Sequence, residues 1–212
     1  MRTWLQARII LAISKLQDVL RCANGWLSIR VLRCKAWTQG VIIGKNVSCW
    51  GPVILRSAYP GSISLGSFMS IVSTSPRATA SSIYAPTKLQ TLSSTARIIL
   101  EDGVGVNGVS IVARSKTILI GKNVMIAPNC TIVDSDFHAL WPAEGRLRNP
   151  GISNDADVHI GNNVWLGMQC IVLKGVTVGD GTIIAAGSVV TKDIPPNCLA
   201  AGVPARVIRN LP

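Results

Sequence analysis

The sequence predicts a coiled β-solenoid, and three observations carry that prediction. Ile160, Leu166, Val172, Val178, Ile184 and Val190 recur every six residues without a slip. A small or turn-forming residue (Gly161, Gly167, Gly179, Ala185) follows four of them. Val164, Cys170, Val176, Thr182 and Ser188 stand four positions beyond the aliphatic residues, before the bulkier Ile194. No helix has a period of six, and a flat strand of period two does not need this spacing. Short strands that each end in a tight turn, with their aliphatic residues stacked inside, satisfy it.

Composition agrees. A chain of 212 residues can form one elongated domain with a small appendage and an ample core. Hydrophobic residues make up 48% and charged residues 15%, which excludes a disordered tail or a soluble coiled coil. Nineteen glycines suit a fold of repeated turns. The net charge of +11 is concentrated at the start, where Arg2, Arg8, Lys15, Arg21, Arg30, Arg33 and Lys35 face only Asp18. Such a segment favours anionic partners: lipid headgroups, nucleotides or acidic glycans. A nucleic-acid partner is disfavoured, because no groove-reading motif or stacking-aromatic pattern accompanies the charge. Cys22, Cys34, Cys49, Cys130, Cys170 and Cys198 are scattered, with no CxxC pair or zinc spacing. Cys130 and Cys170 occupy small-residue slots of the repeat and read as buried thiols, which suits a reducing cytoplasm.

Taken in order, Leu5, Ile9, Ile13, Leu16 and Leu20 have helical spacing, with Arg8 and Lys15 off the stripe. Gln6 and Arg8 interrupt the apolar run, so the segment reads neither as a signal peptide nor as a membrane span. Asn24-Gly25 reads as a helix stop, and a second apolar, basic segment runs from Trp26 to Trp37. Two uses of residues 1–38 stay open: packing on the solenoid end or a neighbouring subunit, or peripheral attachment to an anionic membrane face. Ile43-Gly44-Lys45-Asn46-Val47 begins the repeat, Cys49 replaces an aliphatic residue, and Leu65-Gly66 and Ile71 recover it. Residues 73–97 keep no register and read equally as degenerate coils or as a loop. The register returns at Leu100, Val106 and Val112, and again at Ile120, Ile126 and Ile132. The gap from Ile132 to Ile160 is too long for one coil, so the stretch from Asp134 to Asp157 reads as an excursion from the wall. Long loops on rigid scaffolds usually carry function. The expected divisions are therefore a helical segment over 1–38, the solenoid over 39–195 with its loop at 134–157, and a tail over 196–212.

Three stretches carry a family resemblance: Ile160-Gly161-Asn162-Asn163-Val164-Trp165-Leu166-Gly167, Ala186-Gly187-Ser188-Val189-Val190-Thr191-Lys192-Asp193-Ile194-Pro195, and Ala200 through Arg209. Together they resemble the left-handed β-helix hexapeptide-repeat acyltransferases, especially the maltose and galactoside O-acetyltransferase branch. The N-terminal helices look more like those of cell-surface polysaccharide O-acetyltransferases. The resemblance implies an all-β, left-handed parallel β-helix that assembles as a homotrimer. Each site would lie between neighbouring prisms, with acetyl-CoA along the groove and no metal.

Transfer of an acetyl group to a sugar hydroxyl needs a base. His159 directly precedes an inward Ile160, so it is expected to point outward. His138 opens the excursion and aligns, one residue farther along, with the family's catalytic histidine. Asp134, Asp136, Glu144 and Asp157 are candidate acids to orient its ring, and spacing does not choose among them. By the same resemblance Asn107 helps hold the acceptor or the reacting centre, its alternative being a simple turn asparagine. Ser115 stands where the sugar-acetylating relatives carry an aspartate, so a simple maltose-like or galactoside-like acceptor is not implied. Trp141, Arg146 and Arg148 in the loop suit a larger or acidic glycan. Resemblance assigns Trp165 and Ala186 to the pantetheine arm of the coenzyme. It assigns Thr191, Lys192, Arg206 and Arg209 to the nucleotide end, where cations meet phosphates.

The expected activity is acetyl-CoA-dependent O-acetylation of a sugar or glycan, in surface polysaccharide, capsule or lipopolysaccharide synthesis. The alternatives are N-acetylation of an amino sugar and a non-enzymatic β-solenoid scaffold. A carbonic anhydrase on the same solenoid would need three zinc-binding histidines, and the chain has two.

Overall fold

The computed structural model describes residues 24–212. The amphipathic stretch from Leu5 to Leu20 lies outside the described residues. Among the described residues, twenty short strands follow one α-helix, α1, over residues 24–38. The first sheet stacks β1 (Ile42–Ile43), β4 (Ile63–Leu65), β7 (Arg97–Leu100), β10 (Thr117–Ile120), β13 (Val158–Ile160) and β16 (Thr177–Val178). The second stacks β2 (Ser48–Trp50), β5 (Ser70–Val72), β8 (Gly105–Asn107), β11 (Met125–Ile126), β14 (Trp165–Leu166) and β17 (Ile183–Ile184). It continues into β19 (Cys198–Gly202) and β20 (Ala205–Asn210). The third holds β3 (Ile54–Arg56), β6 (Lys88–Thr91), β9 (Ser110–Ala113), β12 (Thr131–Val133), β15 (Ile171–Val172) and β18 (Val189–Val190). From β1 to β18 each pairing is parallel and joins strands three apart in the chain, the signature of a three-walled helix; β17 then pairs in parallel with β19, and β20 folds back antiparallel on β19.

The six-residue beat is the physical cause of this shape. Ile160, Leu166, Val172, Val178, Ile184 and Val190 are all fully buried in one continuous core. Their partners four residues on, Val164 to Ile194, are buried at the corners. At one corner Asn46, Asn123 and Asn163 take the left-handed conformation, which asparagine tolerates well. Gly103 shares that corner at φ +75°, where a Cβ would collide with the Asn123 side chain of the next coil.

One sequence expectation needs correction. Asn24 and Gly25, read as a helix stop, are themselves helical. The Ser28 hydroxyl donates to Asn24 Oδ1, and a Cβ on Gly25 would lie 2.7 Å from the Trp50 indole nitrogen, so close packing accounts for the glycine. The expected tail over 196–212 joins the coil directly. β19 pairs with β17, and Cys198, Ala200 and Ala205 belong to the main core. The stretch left open at 73–97 contains both answers. Residues 74–87 form a loop with one 3-10 turn at Ser75–Arg77, and β6 resumes the third wall between β3 and β9.

Helix α1 closes the N-terminal end of the coil. Leu32 and Ala36 are buried in the main core, and the Lys35 ammonium and Gln39 amide donate to the carbonyls of Val53 and Leu55. Residues 24–38 therefore do the packing work that was one of the two expectations. Trp26, Leu27 and Trp37 remain exposed on its outer side. No helix among the described residues is long and apolar enough to cross a membrane.

Candidate active site

His138 lies just past β12, near the start of the 134–157 loop, and is exposed. Its Nδ1 stands 3.1 Å from the Arg146 carbonyl oxygen. A carbonyl only accepts, so Nδ1 carries a proton, and in the neutral ring the lone pair is on Nε2. This corrects the expectation of a carboxylate partner. Asp134 accepts the backbone N–H groups of Arg114, Ser115 and Lys116. Asp157 accepts Thr117 N–H, and Asp136 pairs with Lys174. Each of those three carboxylates is occupied in fastening the loop to the coil, while Glu144 sits in an exposed 3-10 turn. Phe137, immediately before the histidine, is held in the left-handed region at φ +64°, and its N–H donates to the Ser135 hydroxyl. Such backbone outliers on bulky residues cluster at functional sites.

The foot of the loop is a buried ion pair. Arg114 Nη2 and Nε meet Asp155 Oδ1 and Oδ2 at 2.6 and 2.9 Å, and Ser115 Oγ donates to Oδ2 at 2.5 Å. Desolvation pushes the Asp155 carboxyl up, but hydrogen bonds from Arg114, Ser115 and Ser135 outweigh it and hold it below the usual carboxylate range. The same Asp155 hydrogen bond raises the pKa of Arg114. Ser115, expected to mark a changed acceptor site, is thus committed to the loop anchor. Sequence reasoning did not single out Arg114 or Asp155. The six-residue register offered a signal, since it sets Arg114 in the coil next to Asp134 and Ser135.

The second wall carries an apolar trough of about 430 Å³. Trp165, Met168, Ile183, Ala186 and Leu199 line it, joined by Ala80 from the 74–87 loop. Trp165 and Ala186 therefore share one surface, as the resemblance implies. Asn129 holds that loop in place, accepting Tyr84 N–H and donating to the Ser82 carbonyl, while Gln169 donates to the Tyr84 hydroxyl. Asn107 ends β8 rather than occupying a turn, and its amide donates to the Ile126 carbonyl of the neighbouring coil. It stacks below Ala127, which also lines the trough.

Lys192 and Arg206 line a separate hollow of about 200 Å³. Thr191 is exposed beside Lys192, and Arg209 pairs with Leu199 across the β19–β20 hairpin. His138, Trp141 and Arg146 come together on the loop, with Trp141 78% exposed and Arg146 Nη2 donating to the Leu140 carbonyl. The trough lining includes no residue of the 134–157 loop. His159 is exposed on β13, as its position before Ile160 requires.

Residues 157–192 match the family of the bacterial transferase hexapeptide (six repeats). With three parallel walls built on that repeat, the chain folds as a left-handed parallel β-helix. Its similar proteins include the galactoside O-acetyltransferase of Escherichia coli (strain K12), 50% identical over 95 residues, 45% of each chain. This chain therefore spans about half the length of that curated relative. A solved galactoside acetyltransferase in complex with coenzyme A is 28% identical, with a TM-score of 0.50 over 84% of this chain and 68% of that one. A maltose O-acetyltransferase from Clostridium difficile 630 is also 28% identical, with a TM-score of 0.50 over 85% and 75%. An N-acyltransferase from Bacillus cereus, in complex with dTDP and 3-hydroxybutyryl-CoA, reaches a TM-score of 0.64 at 17% identity and so shares the fold.

Proposed function

We propose that the chain is an acetyl-CoA-dependent O-acetyltransferase acting on a sugar or glycan hydroxyl, with His138 as general base. The observation that carries this reading is the His138 ring itself: exposed and fixed through Nδ1 by a backbone carbonyl, which leaves Nε2 as the nitrogen for an acceptor hydroxyl. In this reading Nε2 takes the hydroxyl proton as the oxygen attacks the thioester carbonyl. The thiolate leaves without a strong acid, because thiol pKa values lie near 8.5. No covalent enzyme intermediate is needed.

The chain's residues fit the coenzyme. An apolar trough with Trp165 and Ala186 suits the pantetheine arm, and the cations Lys192, Arg206 and Arg209, with Thr191, suit the phosphate end. Asn107, one coil from the trough, is assigned to the acceptor or the reacting centre. Trp141 and Arg146 are assigned to the acceptor, taken as a surface polysaccharide, capsule or lipopolysaccharide precursor. Because the trough lacks the loop histidine, a homotrimer in which one subunit's trough faces another's His138 completes the site.

The test is acetyl-CoA incubated with the full chain and a panel of sugars and glycans, with CoA release and product mass both measured. A mass gain of one acetyl group on a hydroxyl, absent with His138→Ala, is expected. CoA binding without transfer to any acceptor would contradict the reading. Acetylation of an amino sugar at nitrogen would move the enzyme to the N-acetyltransferase class.

A further inference from the structure

We propose that Arg114 is a positioning residue that fixes His138 by pinning the returning limb of the 134–157 loop. The inference rests on the reading of His138 as general base. Arg114 leaves the third wall directly after β9, and its guanidinium makes three contacts with the loop's return. Nε and Nη2 grip the two oxygens of Asp155, and Nη1 donates to the Pro150 carbonyl. Its backbone N–H holds Asp134 at the loop's departure at 2.7 Å. One residue thus ties both limbs together, and its guanidinium carbon stands 5.9 Å from the centre of the Phe137 ring, next to the histidine in sequence.

The returning limb reaches His138 by direct contact. Asn149 O accepts the Ala139 N–H at 2.9 Å. Gly151 sits at φ +63° so close beneath the histidine that an added Cβ would lie 2.8 Å from Ala139 N and 2.9 Å from His138 C. Arg146, whose carbonyl orients Nδ1, lies on the stretch between these contacts. Displacing 149–155 therefore moves the backbone on both sides of the imidazole.

A second cation offers a comparison. Lys174, from the coil on the other side, bridges Asp136 at 2.8 Å and the Asn154 carbonyl at 2.7 Å. That pair is solvent-accessible, with side chains 24% and 30% exposed, and such pairs hold little energy. The Arg114–Asp155 pair is 9% and 0% exposed, bidentate and fully hydrogen-bonded. Breaking a pair of this kind costs far more than breaking an exposed one. Of the two fasteners, Arg114 sets the loop's position.

The experiment is a double-mutant cycle between Arg114→Met and His138→Ala, reading kcat, acetyl-CoA Kd and melting temperature. Gly151→Ala serves as an independent probe of the same contact. Alone, Arg114→Met is expected to lower kcat by about 10- to 100-fold, as a small misplacement of a base does, with acetyl-CoA Kd unchanged. In the His138→Ala background it should produce no further loss, because residues that act as a unit are non-additive. Gly151→Ala, strained at φ +63° and crowding the His138–Ala139 backbone, should lower the melting temperature and reproduce the kcat loss with acetyl-CoA Kd unchanged. Unchanged kcat in Arg114→Met, or an equal further loss in the His138→Ala background, would overturn the positioning role while leaving the base in place. Full turnover in His138→Ala alone would instead remove the base reading, and this inference with it. If Arg114→Met does not fold, Gly151→Ala decides: normal kcat there refutes the proposal.

Discussion

His138 Nδ1 and the Arg146 carbonyl oxygen, eight residues apart in sequence, face each other at 3.1 Å. A neutral acceptor in this place orients the ring without adding a charge beside the imidazole. Replacing the Arg146 side chain leaves that carbonyl in place. Arg146→Ala is therefore expected to raise the acceptor KM and leave the pH profile of kcat where it was. A profile displaced by one unit or more in stopped-time assays would show that the side chain tunes the base.

Trp165 is 46% exposed on the wall of the trough rather than packed in the core. Trp165→Ala should raise the acetyl-CoA KM about tenfold, equivalent to about 1.4 kcal/mol, and the acceptor KM by less. Steady-state kinetics with each substrate varied in turn would reveal the opposite ranking if the tryptophan served the acceptor.

The proposal that the site is shared between subunits makes a complementation experiment decisive. His138→Ala should lack the base, and Ala186→Trp should fill the trough. Trimers assembled from a mixture of the two should recover activity that neither variant has alone, through sites pairing an intact trough with an intact histidine. No recovery on mixing, or full activity in a dilute monomer, would confine the site to one chain.

Asp155 makes stability depend on pH in a stated direction. Its carboxyl is held below the ordinary range in the folded chain, so it stabilises fully above the unfolded pKa of about 3.9 and loses that contribution as pH falls through the lower folded value. Denaturant titrations should show Asp155→Asn less stable than the parent at neutral pH, with the gap narrowing below about pH 4. A gap that stays constant into acid would mean the ionised carboxylate contributes nothing.

Ile126 is fully buried between stacked strands of the second wall. Ile126→Ala should destabilise the chain by about 2–5 kcal/mol, through lost burial and the cavity left behind. Equilibrium unfolding would check it, and a cost below about 1 kcal/mol would show that the stack collapses to fill the gap.

The regular part of the coil was legible because one physical constraint repeats: an aliphatic residue at each inward position, a turn directly after it, and a small or β-branched residue four positions on. That is why Ile160 to Val190 predicts its own burial residue by residue. Where side chains work across coils, the local pattern carries less. Arg114 and Asp155 are forty-one residues apart and meet only because the 134–157 loop returns to its starting coil. Asn24-Gly25 misled for a related reason, since the glycine answers to Trp50 above it rather than to the end of a helix. The orienting partner of His138 was invisible in principle, because it is a backbone carbonyl, and any residue type would supply it.

The most direct test of the central claim measures coenzyme binding and acetyl transfer together in His138→Ala. The account predicts that acetyl-CoA binds with unchanged affinity while kcat falls by about 10²- to 10⁴-fold, the share a general base contributes. Turnover at the parent rate with the imidazole removed would contradict it.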